Sequence, residues 1–295
     1  MNPNDSAPAN ANSLRGSEFW RLLGAQKTWF LIGLPALAVF VFTLTKSPSA
    51  AWIPPLFVLL IGLGVVFWVA DRNAANRFWE LYSETRGLEL GGQTQLPKTT
   101  PFLRQGGDRY ATRTLSGELA PGIVGTFGLF TYEEVVLGND GGTETRYYRF
   151  TFAMAAVPEC VAHMPELYVK KKSGHPRSLQ KLEDVFRVGK RRVTLESAAV
   201  GRRYEIFVGK EQDEVWTRRL FSPSFIVWLA ESSPQKFSFE LVDGTLVAYI
   251  PGQKEDAPTL DLMAASTATI ARRLLEESAQ TSGASSSAPG AASET

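Results

Sequence analysis

The chain has 295 residues, a formal net charge of +1, 44% hydrophobic residues and 21% charged residues. This near-neutral balance argues against a dedicated nucleic-acid binder, which would normally be basic overall. The one cysteine, Cys160, permits no intramolecular disulfide, which agrees with a reducing compartment. A lone cysteine without a neighbouring catalytic histidine is more often a small buried apolar residue than a nucleophile, so we expect Cys160 to be buried.

Residues 1–27 are predicted to form a disordered or membrane-interfacial N-terminus. The first thirteen residues are rich in Asn, Ala and Pro and lack hydrophobic periodicity, which is typical of disorder. Residues 14–27 mix aromatic and leucine side chains with basic ones. This pattern fits an amphipathic helix in the membrane interface, and it fits equally well a helical extension of the apolar run that follows.

Residues 28–70 are predicted to form a transmembrane hairpin with spans at 29–45 and 52–70. Neither span contains a charged residue. At 1.5 Å per residue each would reach about 26–29 Å, close to the thickness of a bilayer core. Trp29, Trp52 and Trp68 lie at or near the ends of the spans, where aromatic side chains meet lipid headgroups. Pro35 is expected to bend the first span, which a packed neighbouring helix can accommodate.

Two other interpretations of these runs are less consistent with the sequence. A buried helical pair in a globular core would usually carry a polar face, and no polar stripe recurs here at helical spacing. A cleaved signal peptide would have a shorter apolar core followed by a small-residue cleavage site, which is missing before the second run.

The distribution of basic residues predicts the orientation. Three precede the hairpin, one lies in its link and three follow it: Arg15, Arg21 and Lys27, then Lys46, then Arg72, Arg77 and Arg86. The positive-inside rule therefore predicts a multi-pass protein of the cell (inner or plasma) membrane with both termini in the cytoplasm.

Residues 71–87 are predicted to form a helix that connects the second span to the following domain. Ala75, Phe78, Trp79 and Tyr82 are spaced at i, i+3, i+4 and i+7, which places them on one helical face, and Gly87 fits the helix end. This aromatic face either packs into a core or offers a groove for a partner helix.

Residues 88–278 are predicted to form a cytoplasmic α+β domain with an antiparallel sheet, and residues 279–295 a disordered tail. β-branched and aromatic residues mark several strands. Turn sequences predict two hairpins, one at residues 139–142 (Asn-Asp-Gly-Gly) and one at Asp243-Gly244. Helices are predicted after Ser222-Pro223 and over residues 260–277.

The sharpest electrostatic feature is a basic stretch at residues 170–192, with nine Lys and Arg residues opposed by Glu183 and Asp184. Beneath an anionic membrane leaflet such a stretch could contact lipid headgroups. The candidate lipid contacts are Lys170, Lys171, Lys172, Lys190, Arg191 and Arg192. The alternative is a solvated polar face whose charges are neutralised by acidic residues from elsewhere in the chain.

No catalytic, cofactor-binding or metal-binding residues are predicted, and no cofactor. The two histidines, His163 and His175, lack metal-ligand spacing to other His, Cys or acidic residues. The motifs of serine hydrolases, P-loop enzymes, zinc peptidases and kinases are missing from the sequence. A site assembled from distant residues would not show in the sequence.

The order of these features resembles a bacterial family of membrane proteins of unknown function. In that family a cytoplasmic domain follows two N-terminal spans, and near the C-terminus a strand of pattern F-x-V precedes L-[TS]-P and a helix. The residues that match are Ile206, Val208, Leu220, Phe221, Ser222 and Pro223, and the resemblance covers about residues 30–278. It implies the architecture and no activity, cofactor or catalytic residue.

The preferred hypothesis is a membrane-anchored cytoplasmic binding or scaffold protein. Its expected partners are the lipid bilayer and another membrane or envelope protein, and not nucleic acid. The oligomeric state is left open by the sequence. The alternatives are a membrane-anchored enzyme of unrecognised class and a small subunit of a transport or channel complex, although two uncharged spans form a poor solute path by themselves.

Overall fold

The computed structural model describes residues 10–46, 52–137, 141–172 and 189–286, with side chains as far as Thr281. The chain divides into two compact units. The first, here called the helical unit, is Met1–Gly87 with Glu255–Pro258. The second, the sheet unit, is Leu88–Lys254 with Thr259–Thr295.

Three helices build the helical unit: α1 (Ala11–Gly24), α2 (Gln26–Lys46) and α3 (Ile53–Arg86). The side chain of Asn10 caps α1 by accepting a hydrogen bond from the Ser13 N–H at 2.8 Å. Ala25 has an extended backbone and separates α1 from α2. Most of the segment predicted as disordered or interfacial is therefore a separate helix.

Both N-terminal helices pack on α3. In α1, Arg15 forms an ion pair with Asp71, and the Phe19 ring lies 6.2 Å from the Phe67 ring. In α2, Ile32 fits against Gly62, where an added Cβ would lie only 2.6 Å from the Ile32 side chain. The missing side chain of Gly62 thus allows close approach of the two long helices.

Two of the described helices, α2 and α3, are long and apolar enough to cross a membrane. Only 11% and 17% of their most apolar windows are buried in the protein. The second apolar run continues without interruption into the predicted connecting helix, which ends at Gly87 with φ of +63°. The aromatic residues of that second half, Phe78, Trp79 and Tyr82, are fully buried, which confirms that they form one packed face.

The described ranges of the sheet unit contain nine strands in the spatial order β1-β2-β3-β4-β9-β8-β5-β7-β6, and each of their pairings is antiparallel. Their bounds are β1 Glu89–Gly91, β2 Arg109–Ala120, β3 Ile123–Leu137, β4 Thr143–Ala156, β5 Glu166–Lys171, β6 Lys190–Val193, β7 Tyr204–Gly209, β8 Ser238–Val242 and β9 Thr245–Pro251. The predicted antiparallel sheet is confirmed.

Both predicted hairpins are present. Strands β3 and β4 pair over most of their length, from Gly125 opposite Ala155 to Leu137 opposite Thr143. Of the predicted turn residues between them, Asn139 and Asp140 lie outside the described part of the chain. The β8–β9 turn places Asp243 and Gly244 at φ of +46° and +75°, which suits the left-handed conformations of a two-residue hairpin turn.

Among the described residues, four helices accompany the sheet: α4 (Ala198–Arg203), α5 (Glu214–Leu220), α6 (Pro223–Glu231) and α7 (Ala257–Ser286). Helix α6 begins at the predicted Ser222-Pro223, although Ser222 makes no side-chain capping bond. Helix α7 continues beyond residue 277, so the C-terminal segment predicted as disordered begins as helix. The sequence analysis did not identify α4, α5 or the short edge strand β6.

An aromatic cluster occupies one face of the sheet beneath a short 3₁₀ turn, Phe102–Arg104. Its buried members are Phe102, Leu103, Ala111, Phe130, Tyr132, Phe152, Val247 and Tyr249. The Phe102 ring stacks on Tyr249 with centroids 3.8 Å apart, and the Phe150 ring meets its edge at 5.1 Å. The turn is thereby anchored across strands β4 and β9.

Replacement of Phe102 by alanine is expected to lower the free energy of unfolding of the sheet unit by about 3–5 kcal/mol, since it opens a cavity in a packed aromatic core. Urea denaturation followed by near-UV circular dichroism measures the change. The matched control is Val124→Ala at a 70% exposed strand position, which should change stability by about 0.5 kcal/mol or less. Equal effects of the two substitutions would contradict this assignment of the core.

Candidate functional site

Strand β5 carries a row of polar side chains into the sheet. Glu166, Tyr168 and Lys170 alternate along it and therefore share one face, together with Glu240, which lies opposite Tyr168 on β8. Because the aromatic cluster lies on the same face, the sheet presents an apolar half and an ionic half. We call Glu166, Tyr168, Lys170, Lys190 and Glu240 the β5 network.

Glu240 is the fully buried member of the β5 network. One carboxylate oxygen accepts a hydrogen bond from the Phe102 N–H at 2.9 Å, and the other accepts one from the Tyr249 hydroxyl at 3.2 Å. The ammonium of Lys170 lies 3.9 Å away. Burial raises the pKa of Glu240 even though Lys170 and these donors favour the charged form.

Glu166, Tyr168 and Lys190 form the more accessible end of the network. Lys190 Nζ donates to Glu166 Oε2 and, at 2.8 Å, to the Tyr168 hydroxyl. The Tyr168 hydroxyl in turn donates to Glu166 Oε2 at 2.7 Å. Lys190 also lies 4.1 Å above the Tyr168 ring, a cation–π distance. The three side chains therefore hold one another in place.

The pKa values follow from this arrangement. For Glu166, burial alone would raise the pKa, but the hydrogen bonds from Lys190 and Tyr168 outweigh it and the net pKa is lowered. Burial, together with the bond to the Glu166 carboxylate, raises the pKa of Tyr168 above its ordinary value. Glu166 is therefore ionised and Tyr168 protonated at neutral pH.

The other candidate lipid contacts also have partners within the chain. Lys171 lies 4.9 Å from the centre of the Tyr204 ring, and Lys172 donates to the Gly201 carbonyl at 2.6 Å. Arg191 donates to the Gln212 carbonyl at 3.0 Å, and Arg192 forms an ion pair with Glu205 at 3.2 Å.

This placement bears on the predicted anionic-lipid contact without testing it. Lys170 is buried, while Lys190 and Arg192 pair with acidic residues that lie far away in the sequence. Residues 173–188, which contain three more basic residues of this stretch, lie outside the described part of the chain. Lipid contact therefore stays a prediction, and the exposed Lys172 and Arg192 are its most accessible described members.

A cleft of about 580 Å³ opens at the end of the sheet where β5 and β6 begin and β7 ends. The residues that line it are Ala162, His163, Pro165, Glu166, Gly189, Gly209, Lys210, Glu211, Gln212, Asp213, Trp216 and Thr281. Three of these side chains are carboxylates and one is an ammonium. The lining thus favours groups that donate hydrogen bonds or carry positive charge.

The wall opposite Glu166 is formed by the loop between β7 and α5. Gln212 donates to the His163 carbonyl at 2.6 Å, which ties this loop to the segment before β5. The His163 ring lies nearly parallel to the Trp216 ring, with centroids 6.4 Å apart. The Trp216 indole N–H is buried and has no hydrogen-bond partner among the described residues. Both walls of the cleft are therefore fixed by contacts within the sheet unit.

The cleft is better suited to binding than to proton transfer. The Tyr168 hydroxyl already donates to Glu166 and accepts from Lys190, and its raised pKa disfavours a phenolate. Glu166 Oε1, by contrast, accepts no hydrogen bond from the described residues. Within the described ranges, no three His, Cys, Asp or Glu side chains are grouped so that they could hold a metal ion.

Two members of the β5 network, Lys170 and Lys190, are among the predicted lipid contacts, whereas its acidic and aromatic members are not predicted from the sequence. A signal is present, because Glu166, Tyr168 and Lys170 occupy alternate positions, which is the spacing of side chains on one face of a strand. The pairing with Glu240 was not accessible, since it depends on which strand lies next to β5. Cys160 is buried as expected, and burial raises the pKa of its thiol to about 11.

The substitution Glu166→Gln is expected to destabilise the protein at pH 7 by about 1 kcal/mol, a modest value because the side chain is 34% exposed and solvent screens the ion pair. The folded-state pKa of Glu166 is lowered, so its contribution is present above the unfolded-state pKa and is lost as pH falls through the folded-state pKa. The variant and the parent should therefore converge below about pH 4.

Urea denaturation between pH 3.5 and 7 measures this difference. Glu211→Gln, at the exposed rim of the same cleft, is the matched control and should remain within about 0.5 kcal/mol of the parent throughout. A difference for Glu166→Gln that does not depend on pH would contradict the ion-pair explanation.

Comparisons with known proteins place the chain in no family. No family model matches it, and neither does a curated protein. Among solved structures it is similar to the crystal structure of the mycobacterial trehalose monomycolate transport factor A, TtfA, with 12% identity and a TM-score of 0.43. The match covers 69% of this chain and 93% of that one. At this distance the similarity carries no argument about role, and the family resemblance inferred from the sequence stays a prediction.

Proposed function

We propose that this protein is a membrane-anchored binding or scaffold protein. In this proposal α2 and the first part of α3 cross the cell membrane as a hairpin. Both termini lie in the cytoplasm, and the sheet unit provides the surface that engages a partner.

The observation that carries the proposal is the exposed apolar surface of α2 and α3. Large side chains along both helices are exposed, among them Phe30, Leu31, Leu34, Phe42, Ile61 and Phe67. In water each Å² of such surface costs roughly 25 cal/mol, whereas in the hydrocarbon core of a bilayer it is compatible with its surroundings. A helix from the core of a soluble protein would be mostly buried, and these two are not.

The pairing of the two helices supports a hairpin over a removable leader. Helix α2 packs on α3 at Ile32 and Gly62, and α1 packs on α3 through Arg15 and Asp71. Loss of α1 and α2 would leave the apolar part of α3 without these partners. The excess of basic residues on both flanks of the hairpin supports cytoplasmic termini.

The cleft supports a binding role for the sheet unit. The Glu166 carboxylate in the cleft is ionised and held in place by Lys190 and Tyr168, so it offers a preorganised hydrogen-bond acceptor. A preorganised site loses little conformational freedom when a partner binds. The proposed partner is a protein segment or ligand with donor or cationic groups that face this carboxylate.

The topology is tested by labelling single cysteines in right-side-out membrane vesicles with a membrane-impermeant maleimide. We expect Ser49→Cys, in the link between the helices, to react in intact vesicles, and Lys210→Cys to react only after lysis. The native Cys160 should remain silent because it is buried and its raised pKa leaves little thiolate. Labelling of Lys210→Cys in intact vesicles, or release of the protein by alkaline carbonate, would overturn the proposed anchor.

The binding role is tested by purification from native membranes with a C-terminal tag, followed by mass spectrometry and sizing in mild detergent. We expect a stoichiometric partner that is retained by the parent and at least about fivefold depleted by Glu211→Arg, which reverses a charge at the cleft. Glu231→Arg, an exposed charge reversal at the end of α6, is the matched control. A protein that purifies without any other component in all three cases would contradict the scaffold proposal.

A further inference from the structure

The β3–β4 hairpin extends beyond the rest of the sheet as a two-stranded arm. Strand β2 pairs with β3 only as far as Tyr132, and β9 pairs with β4 only from Phe150 onward. Residues 134–137 and 143–148 therefore pair with each other and with no further strand among the described residues. We call these two segments the arm.

The arm carries an apolar stripe on one face. Val135 lies opposite Thr145, Leu137 opposite Thr143, and Tyr147 opposite Glu133, so these six side chains share one side of the ribbon. Val135 is 70% exposed, Leu137 77% and Tyr147 54%. Large exposed apolar residues gathered on one face of the arm are typical of an interaction surface.

The outer edge of β4 in the arm has backbone groups that pair with no other strand in the described part of the chain. The Gly252 N–H donates to the Arg149 carbonyl at 2.8 Å, so the backbone of Arg149 points away from β3. Because backbone direction alternates along an antiparallel strand, the N–H and C=O groups of Thr143, Thr145 and Tyr147 point to the same open side. Edges of this kind accept a further strand unless charges or coverage prevent it.

We propose that the arm pairs with the arm of a second copy of this chain, β4 against β4, in an antiparallel two-fold arrangement centred on Thr145. This register places Thr145 opposite Thr145 and Thr143 opposite Tyr147 of the other copy. All of these residues point their backbone groups to the open edge, so each pair can exchange hydrogen bonds.

Charge selects this register over its neighbours. Centred on Thr145, Glu144 of each copy lies opposite Arg146 of the other, at a non-hydrogen-bonded position where side chains approach most closely. In the neighbouring register with Thr143 opposite Thr145 of the other copy, Glu144 would lie opposite Glu144. In the neighbouring register on the other side, with Thr145 opposite Tyr147 of the other copy, Arg146 would lie opposite Arg146. Both alternatives bring like charges together, which is destabilising.

In a single copy of the chain, Glu144 and Arg146 are exposed and pair with each other along strand β4. Arg146 donates to Glu144 at 3.1 Å, and both side chains are more than half exposed. Exchange of this pair between two copies keeps each charge satisfied. It also brings the two apolar stripes onto one face of a four-stranded ribbon, with Tyr147 beside Thr143 of the other copy and directed toward its Leu137.

Cysteine cross-linking of the full-length protein in membranes tests the pairing. In this register the two Thr145 Cα atoms lie about 5.5 Å apart, within the range that a disulfide spans. We expect Thr145→Cys to form a disulfide-linked dimer under mild oxidation. Thr143→Cys and Tyr147→Cys, each about 14 Å from its own counterpart, should form at least about tenfold less.

The native Cys160 is buried and gives little background. Cross-linking of Thr145→Cys no greater than that of the two neighbouring positions would overturn the proposal. A maximum at Thr143→Cys or Tyr147→Cys would overturn the register and with it the charge argument.

Reversal of the charges at Glu144 and Arg146 in the Thr145→Cys variant provides a second, independent test. Glu144→Arg or Arg146→Glu alone should reduce dimer formation at least about fivefold, since each creates two like-charge pairs across the interface. The double variant Glu144→Arg with Arg146→Glu should restore it, and so should a mixture of the two single variants. Unchanged cross-linking in the single variants would overturn the proposed interface.

All of these positions are exposed, so the variants should retain the thermal unfolding midpoint of the parent, which serves as the control for folding. The inference concerns the arm alone and does not depend on the cleft or on its partner. A dimer without any other component in the purification would therefore support the arm pairing while contradicting the scaffold proposal.

Discussion

Burial of the Glu240 carboxylate is the constraint that links the elements of the sheet unit. A buried carboxylate is costly unless donors surround it. Here two hydrogen-bond donors and one opposite charge come from three separate places in the chain: the Phe102 N–H in a loop turn, the Tyr249 hydroxyl on β9 and, at 3.9 Å, the Lys170 ammonium on β5. These segments must all be in position together, which couples the aromatic half of the sheet face to its ionic half.

The same constraint explains the position of the cleft. Lys170 extends toward Glu240, so the other acidic residue of the β5 network, Glu166, is paired by Lys190 from the edge strand β6. Lys190 in turn restrains Tyr168, which separates the buried carboxylate from the accessible one. The result is a gradient across the β5 network, from a fully buried carboxylate at the centre of the sheet, Glu240, to an available carboxylate oxygen at its end, that of Glu166.

The two units of the protein satisfy their apolar surface in different ways. The sheet unit buries its aromatic side chains within itself, as the stacked rings of Phe102 and Tyr249 illustrate. The helical unit leaves most of α2 and the first half of α3 exposed except where these helices pack on each other and on α1, whereas the aromatic face of the second half of α3 is fully buried. One continuous helix, α3, therefore changes from an apolar exterior to an aromatic face that is fully buried.

The sequence by itself determined the features that depend on local patterns. Uninterrupted apolar runs identified the two long helices, the i, i+3, i+4, i+7 spacing identified the buried face of α3, and Asp243-Gly244 identified a hairpin turn. These features are predictable because hydrophobic period and turn conformation are properties of neighbouring residues. Strand β6 and helices α4 and α5 are only four to seven residues long, which is too short for a recognisable hydrophobic period.

Only the tertiary structure decided which charges meet. Seventy residues separate Lys170 from Glu240, and the basic stretch that looked uniform in the sequence is divided between a buried pair, a surface pair and contacts with carbonyl groups. Likewise, residues 143–148 read as an ordinary strand, and their open edge follows from where β2 and β9 end. Strand order and strand overlap bring distant residues together, and neither is encoded in the spacing of residues along the chain.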